Sequence, residues 1–226
     1  MRPRRNEGGS VAVDGASPGA RTGVNPGPLP PELSFRPLKR SDLPLLAEWL
    51  RRPHVAQWWR ESSDLPAVEA AYGPIIDGSD PTEGFIAVGQ GPEQEDGQQG
   101  EGHSLAFLQL YRLDDNPEWQ RAIAVALAEG DLEVIGPSAG IDYLIGDRTM
   151  TGRGLGRTMI AAFVDLVWDR YPDTSAVIVA VDQGNEASWR ALEGAGFLRA
   201  WAGVLSSEDP SDEGPSYLYV TRRPVG

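Results

Sequence analysis

Three glycines at a spacing of two, Gly152, Gly154 and Gly156, separate a short apolar stretch from a long amphipathic one. Glycine lets the backbone turn tightly and lets a ligand approach the main chain closely, because it has no Cβ. The residues after the turn are predicted to begin a helix, whose first N–H groups lack helical partners and carry partial positive charge. This arrangement favours binding of a phosphate or pyrophosphate. A glycine-rich turn without a ligand is the structural alternative.

Two well-known phosphate-binding signatures do not fit this turn. A P-loop requires a lysine before Ser or Thr, whereas Arg157 precedes Thr158 here and Thr151 occupies the place of the first glycine. A dinucleotide fingerprint requires Gly-x-Gly-x-x-Gly, and the third glycine here comes one residue too early. The turn is therefore expected to bind a different phosphate-bearing molecule.

Acidic side chains near the turn are candidates for catalysis and for binding an amine. Asp142 lies between apolar residues in the strand before the turn, and strand alternation places it with Leu144 on the face opposite Tyr143. Such an acid must project into a cleft or be paired. In a cleft it could bind an ammonium group and accept its proton; otherwise it is a salt-bridged structural residue. Asp182, at the end of the next strand, could bind a second amine or stabilise a turn.

Two adjacent tryptophans, Trp58 and Trp59, could provide a wall against which a sugar ring stacks. Because neighbouring residues point in different directions, we expect at most one of them to face a cleft and the other to pack in the core. His54, which follows Pro53, is expected to be a structural turn residue rather than a base.

Composition narrows the classes of partner. The 226 residues carry 20 basic and 33 acidic side chains, a net charge of −13. This balance disfavours nucleic acid and favours a polycationic small molecule, unless it serves solubility alone. With no cysteine and two histidines, disulfides, a cysteine nucleophile and a metal site are not expected. No apolar run approaches the roughly 18 residues of a membrane span, and no signal peptide is recognisable, so a cytoplasmic protein without membrane contact is expected.

The pattern along the chain predicts one domain of the α+β (α/β) class. Residues 1–31 are predicted to be a disordered Gly/Pro-rich tail and 32–224 a single domain, with an acidic loop at 89–102 and a helical insertion at 114–133. Hydrophobic periodicity predicts strands near 33–38, 85–88, 104–110, 140–145, 176–181, 201–205 and 217–221, and helices near 43–50, 65–76, 116–129, 155–170 and 186–192. We expect a mixed sheet with helices on both faces and a central βαβ unit.

The glycine turn and a second motif together resemble the GNAT N-acetyltransferase superfamily. The second motif is Asn185-Glu186-Ala187-Ser188 followed by Leu192-Glu193-Gly194-Ala195-Gly196-Phe197. The resemblance runs from about Leu33 to Arg222. Within the superfamily the chain is most similar to bacterial aminoglycoside 6′-N-acetyltransferases, through the segments 54–59 and 140–144.

The resemblance implies a GNAT fold that binds acetyl-CoA and transfers its acetyl group directly to an amine, in particular the 6′-amine of an aminoglycoside. It places the pyrophosphate on the turn residues Arg153, Gly154, Leu155, Gly156, Arg157 and Thr158. Backbone N–H groups of Leu144 and Ile145 would bind the pantetheine arm and the oxyanion, and Asn185 would bind that arm or cap a helix. Asp142 would be the catalytic residue, and Asp182, Trp58, Trp59 and Tyr143 would bind the acceptor.

The sequence departs from the superfamily pattern at Leu192, where a tyrosine often protonates the departing thiolate. Solvent, Tyr143, Tyr217 or Tyr219 could replace it. The alternatives are acylation of a hydroxylysine-type siderophore precursor, acylation of a peptide N-terminus, and a non-catalytic module that binds acetyl-CoA. A monomer or a homodimer is expected.

Overall fold

The structure is a computed structural model that describes residues 33–89, 102–133, 136–205 and 214–224. The predicted tail at 1–31 and most of the predicted acidic loop at 89–102 lie outside the described residues. Among the described residues, no helix is both long and apolar enough to cross a membrane.

A seven-stranded mixed sheet forms the centre of the molecule, as predicted. Its strands are β1 Leu33–Pro37, β2 Glu83–Gly89, β3 His103–Arg112, β4 Ser138–Ile145, β5 Ala176–Asp182, β6 Leu198–Val204 and β7 Pro215–Arg222. They are ordered β1-β2-β3-β4-β5-β7-β6. Every neighbouring pair is antiparallel except β4 and β5, which are parallel because a helix crosses over between them.

The described residues include six α-helices between strands: α1 Leu43–Arg51, α2 Pro53–Ala56, α3 Leu65–Asp77, α4 Pro117–Glu129, α5 Leu155–Arg170 and α6 Glu186–Gly194. Helix α4 is capped by Asn116, whose Oδ1 accepts a hydrogen bond from the Trp119 N–H at 3.1 Å, and Pro117 is the first helical residue. Asp42 precedes α1, at a position where an acidic residue often caps a helix. The Asp42 carboxylate makes no capping bond there and instead accepts hydrogen bonds from Arg36 at 2.6 and 2.8 Å.

The helices cover both faces of the sheet. On one face, Met159 and Phe163 of α5 pack against the strands, together with Leu192 of α6. On the other face α1 and α3 cover one half of the sheet, while α4 covers the half formed by β5 and β7. The space between these two groups of helices lies above the boundary of β4 and β5.

The sheet is split at this boundary. β4 and β5 pair only from Ser138 opposite Ala176 to Gly140 opposite Ile178. From Ile141 onward the edge of β4 that faces β5 has no strand beside it in the described part of the chain. The split therefore opens the sheet between its two faces, next to the glycine turn.

Candidate active site at the split in the sheet

The glycine turn ends in a helix N-terminus, as predicted. Gly152 and Gly154 adopt the left-handed conformation, with φ of 70° and 85°, which L side chains adopt only at a cost. Helix α5 begins at Leu155. Its first turn is closed by the hydrogen bond from the Thr158 N–H to the Gly154 carbonyl at 3.2 Å. The N–H groups of 155–157 precede it, so they lack a partner within the helix and suit a pyrophosphate.

Gly156 brings this helix end close to the split. A Cβ placed there would lie 3.3 Å from Ala191 Cβ on α6 and 3.7 Å from Ile145 Cδ1 on β4. The side chain of Arg157 extends along Gly194 of α6. The phosphate-binding turn and the open edge of β4 are therefore neighbours, as a molecule with both a pyrophosphate and an extended arm requires.

Backbone donors line the open edge of β4. The Gly146 N–H donates to Leu105 of β3 at 2.9 Å. Because successive residues of a strand alternate in direction, the N–H groups of Ile145 and Tyr143 are directed toward β5, where the strands have separated, and that of Leu144 toward β3. An extended arm can pair with such an edge as an added strand.

Side chains of α1, of α2 and of Arg52 between them hold the end of β4. Arg52 Nη1 donates to the Gly146 carbonyl at 2.7 Å, and His54 Nε2 lies 3.1 Å from the Ile145 carbonyl. Trp49 packs directly over Gly146. His54 thus has a structural contact, as expected. The sequence analysis missed Arg52, because nothing in the local pattern shows that it reaches a residue 94 positions away.

A cleft of about 1280 Å³ opens at the split. Six of the residues predicted to bind the acceptor or the pantetheine arm line it: Trp58, Trp59, Asp142, Tyr143, Asp182 and Asn185. Asp142 and Asp182 are on the face covered by α1, α3 and α4, whereas Tyr143 belongs to the α5 side. Because the sheet is open here, side chains from both faces reach one cavity.

The cleft is acidic. In the part of the chain that the structure describes, its lining contains two arginines, Arg112 and Arg121, and seven carboxylates, those of Glu61, Asp80, Asp115, Glu118, Glu129, Asp142 and Asp182. Such a surplus of negative charge in a concave site raises the local concentration of cations. The charge bias that the composition indicates is therefore concentrated where an acceptor would bind.

Glu61 and Tyr72 form a network beside Asp142 that the sequence analysis missed. Trp59 Nε1 donates to Glu61 Oε1 at 2.9 Å, and the Tyr72 hydroxyl donates to Glu61 Oε2 at 2.8 Å. Burial raises the pKa of Tyr72 well above its ordinary value, and the charges of Glu61 and Asp142 raise it further. Tyr72 therefore stays protonated and fixes the Glu61 carboxylate in the cleft.

Both tryptophans line the cleft, contrary to the expectation that at most one would. The Trp59 N–H donates to the Val55 carbonyl at 2.9 Å, so the helical path of α2 continues through these residues and neighbours point about 100° apart. Trp59 also packs edge-on against Phe107 at 6.0 Å. Trp58 lies near Gly184.

Asp182 and Asn185 each have a structural role as well as a place in the cleft. Asp182 Oδ1 accepts the Gly184 N–H at 2.7 Å, and Oδ2 lies 3.9 Å from Arg60. Asn185 Oδ1 accepts the Ser188 N–H at 3.2 Å, which confirms it as the cap of α6.

Tyr143, Tyr217 and Tyr219 are the tyrosines proposed to protonate the thiolate in place of a tyrosine at position 192. They occupy different places in the structure. Leu192 is fully buried. Tyr219 is also fully buried and donates to Glu193 at 2.8 Å, while the Tyr217 ring lies 4.4 Å under the Arg199 guanidinium. Tyr143 borders the cleft.

Comparisons with known proteins agree with this geometry. The acetyltransferase (GNAT) domain family matches residues 39–202. The chain is 27% identical over 199 residues to an aminoglycoside N(6′)-acetyltransferase type 1 of Klebsiella pneumoniae, with 84% of each chain covered. A solved aminoglycoside acetyltransferase in complex with coenzyme A superimposes with a TM-score of 0.60 at 25% identity, over 85% of this chain and 95% of that one. A second structure, with paromomycin and acetyl-CoA, gives a TM-score of 0.60 at 25% identity, over 84% and 93%.

Proposed function

On the premise that the chain belongs to the GNAT acetyltransferase family, we propose that it transfers the acetyl group of acetyl-CoA to the 6′-amine of an aminoglycoside. The observation that carries the proposal is the acidic cleft, which contains Asp142 and opens at the unpaired edge of β4 beside the α5 N-terminus. Aminoglycosides carry several ammonium groups; a relative in sequence is an aminoglycoside N(6′)-acetyltransferase, and a similar solved structure contains paromomycin.

The turn and the strand edge would hold the acetyl donor. The N–H groups at the start of α5 bind the pyrophosphate, and the side chains of Arg153 and Arg157 add positive charge. The pantetheine arm pairs with the open edge of β4. The Ile145 N–H on this edge would donate to the carbonyl oxygen, which becomes negatively charged during transfer.

Asp142 would bind the acceptor ammonium and accept its proton, directly or through water. The neutral amine then attacks the acetyl carbon, and the bond to sulfur breaks without a covalent enzyme intermediate. Positioning of the two reactants supplies most of the acceleration. A general base contributes about 10²–10⁴-fold.

Steady-state acetylation of kanamycin and tobramycin, followed by CoA release, tests this proposal. We expect turnover, with the product modified at the 6′ nitrogen by NMR. Asp142→Asn should lower kcat by about 10²-fold or more. Asp165→Asn is the matched control, because Asp165 lies on the exposed side of α5 and the substitution removes the same charge.

The outcomes separate the alternatives. Absence of CoA release above background with every aminoglycoside would contradict the acceptor assignment. If calorimetry then showed acetyl-CoA binding without turnover on any amine, the chain would be a non-catalytic binding module, an interpretation that the buried Leu192 favours. A preference for a longer acyl-CoA would indicate the siderophore-type reaction.

A further inference from the structure

A pair of hydroxyl groups spans the split in the sheet. Tyr143 Oη lies 2.8 Å from Ser188 Oγ, and both residues line the cleft. Tyr143 is three residues beyond Gly140, the last position at which β4 pairs with β5. Ser188 lies in the first turn of α6, which follows β5. The pair therefore bridges the two sides of the opening through which an extended thioester arm would pass.

Resting on the proposed function, we infer that Tyr143 is the acid that protonates the departing thiolate of CoA and that Ser188 positions and reprotonates it. As the C–S bond breaks, its electron pair moves to sulfur and the Tyr143 proton follows. The Tyr143 oxygen takes a proton through the Ser188 hydroxyl from water in the cleft. Over the reaction the ammonium nitrogen loses two protons, the first to Asp142 before the attack and the second to water in the cleft after the C–N bond forms. The sulfur gains one proton, so one proton is released to solvent and no other reactant is needed.

The two faces of the sheet support this assignment. Asp142 lies on the face of α1, α3 and α4, whereas Tyr143 packs with the α5 cluster on the opposite face. An amine that arrives beside Asp142 attacks from one side of the planar thioester. The hydroxyl pair then lies on the other side of the opening, where it can meet the leaving sulfur.

Both hydroxyls are fixed before a substrate binds. The Ser188 N–H is held by the Asn185 cap, and the Tyr143 ring packs against the core beneath α5. Burial raises the pKa of Tyr143 well above its ordinary value, although the hydrogen bond to Ser188 lowers it in part. Tyr143 consequently keeps its proton at neutral pH.

The other described tyrosines near the split are less suitable. The Tyr219 hydroxyl is committed to Glu193, and Tyr217 is stacked under Arg199; neither lines the cleft. Tyr111 lines it, but its ring lies over Gly140 at the closed end of the split.

The test is a leaving-group experiment on the full chain. Tyr143→Phe retains the ring and removes the hydroxyl; Ser188→Ala retains the N–H that Asn185 binds. Single-turnover rates are measured with acetyl-CoA and with its analogue that carries selenium in place of sulfur, because a selenolate is a weaker base and needs no proton to leave. With acetyl-CoA, Tyr143→Phe should slow acetyl transfer by about 10²-fold, with Ser188→Ala showing a smaller loss.

The selenium donor should restore most of the rate of both variants, and calorimetry should give wild-type affinity for acetyl-CoA. Tyr217→Phe is the matched control and should behave as wild type with both donors. Wild-type rates for Tyr143→Phe, or an equal loss with the sulfur and selenium donors, would overturn the inference while leaving the proposed function intact. Failure of the wild-type protein to acetylate any amine would instead contradict the proposed function, and the inference with it.

Discussion

The end of β4 depends on a glycine that no other residue can replace without moving the site. Gly146 follows the last residue of β4, and a Cβ built on it would lie within 3.0 Å of three indole atoms of Trp49. Trp49 is 2% exposed, so its ring has no free space into which to rotate. Gly146→Ala should therefore displace the strand end that Arg52 and His54 hold.

The expected loss of stability follows from how closely the added Cβ would approach the Trp49 ring. Carbon atoms in contact are normally about 3.5–4.0 Å apart, and forcing an extra carbon into a packed core costs about 1–3 kcal/mol. Because Trp49 is enclosed, we expect a loss of about 3 kcal/mol in the free energy of unfolding, which corresponds to a fall of about 6–12 °C in Tm. A shift of about 1 Å at a reacting group can reduce the rate about 10²-fold, so kcat should fall together with the affinity for acetyl-CoA.

Thermal unfolding and calorimetry with acetyl-CoA measure both effects. The control is Gly78→Ala at the end of α3, where φ is 74° and no atom lies within 4 Å of the added Cβ. It should cost about 1 kcal/mol of backbone strain and leave acetyl-CoA binding unchanged. In a Trp49→Phe background, Gly146→Ala should cost less. If Gly146→Ala and Gly78→Ala lower the free energy of unfolding by the same amount, and both variants bind acetyl-CoA with wild-type affinity, the reasoning is refuted.

Three further outcomes follow from the contacts. Burial alone would raise the pKa of Asp42, but hydrogen bonds from Arg36 and a backbone N–H lower it below 3.8 overall. Asp42→Asn should therefore be less stable than wild type at neutral pH, and the difference should disappear as the pH falls below 3.8, where the carboxylate is protonated. Denaturant titrations at several pH values measure this. Asp182→Asn retains an acceptor for its turn hydrogen bond, so calorimetry should show weaker aminoglycoside binding at unchanged Tm, whereas Asp182→Ala should lower both. His54→Gln can still donate to the Ile145 carbonyl, so acetyl-CoA affinity should be nearly unchanged, while His54→Leu should weaken it about five-fold.

The donor half of the site was largely predictable because its signals are local. Gly152 and Gly154 supply left-handed conformations, and the stripe of α5 that contains Met159 and Phe163 is visible within a few turns of sequence. Backbone donors follow from the helix end itself and need no particular side chain. The mixed type of the sheet and its central βαβ unit also followed from periodicity and the succession of elements.

The acceptor half was predictable only in part, because it is assembled from distant elements. The place of Asp142 in the cleft agrees with strand alternation, but the role of Glu61 depends on two donors, Trp59 and Tyr72, whose convergence no local pattern shows. Asp42 is a second case in which a contact outside the local motif decides what a side chain does. Its type and position indicate a helix cap, yet Arg36, six residues away, provides a charged partner that the carboxylate takes instead.

Helix α4 shows why the arrangement of charge in the cleft matters more than its total. Its buried residues Ile123 and Leu127 pack on β5 and β7, and Glu129 accepts the Trp201 Nε1–H at 3.0 Å. The position of the Glu129 carboxylate in this wall is therefore set by a hydrogen bond. A preorganised site favours the acceptor whose ammonium groups have the same spacing as the carboxylates, because binding then requires little loss of side-chain conformational freedom. Acceptors of equal charge but different amine spacing should consequently differ in affinity, and a non-specific attraction to polycations would give no such difference.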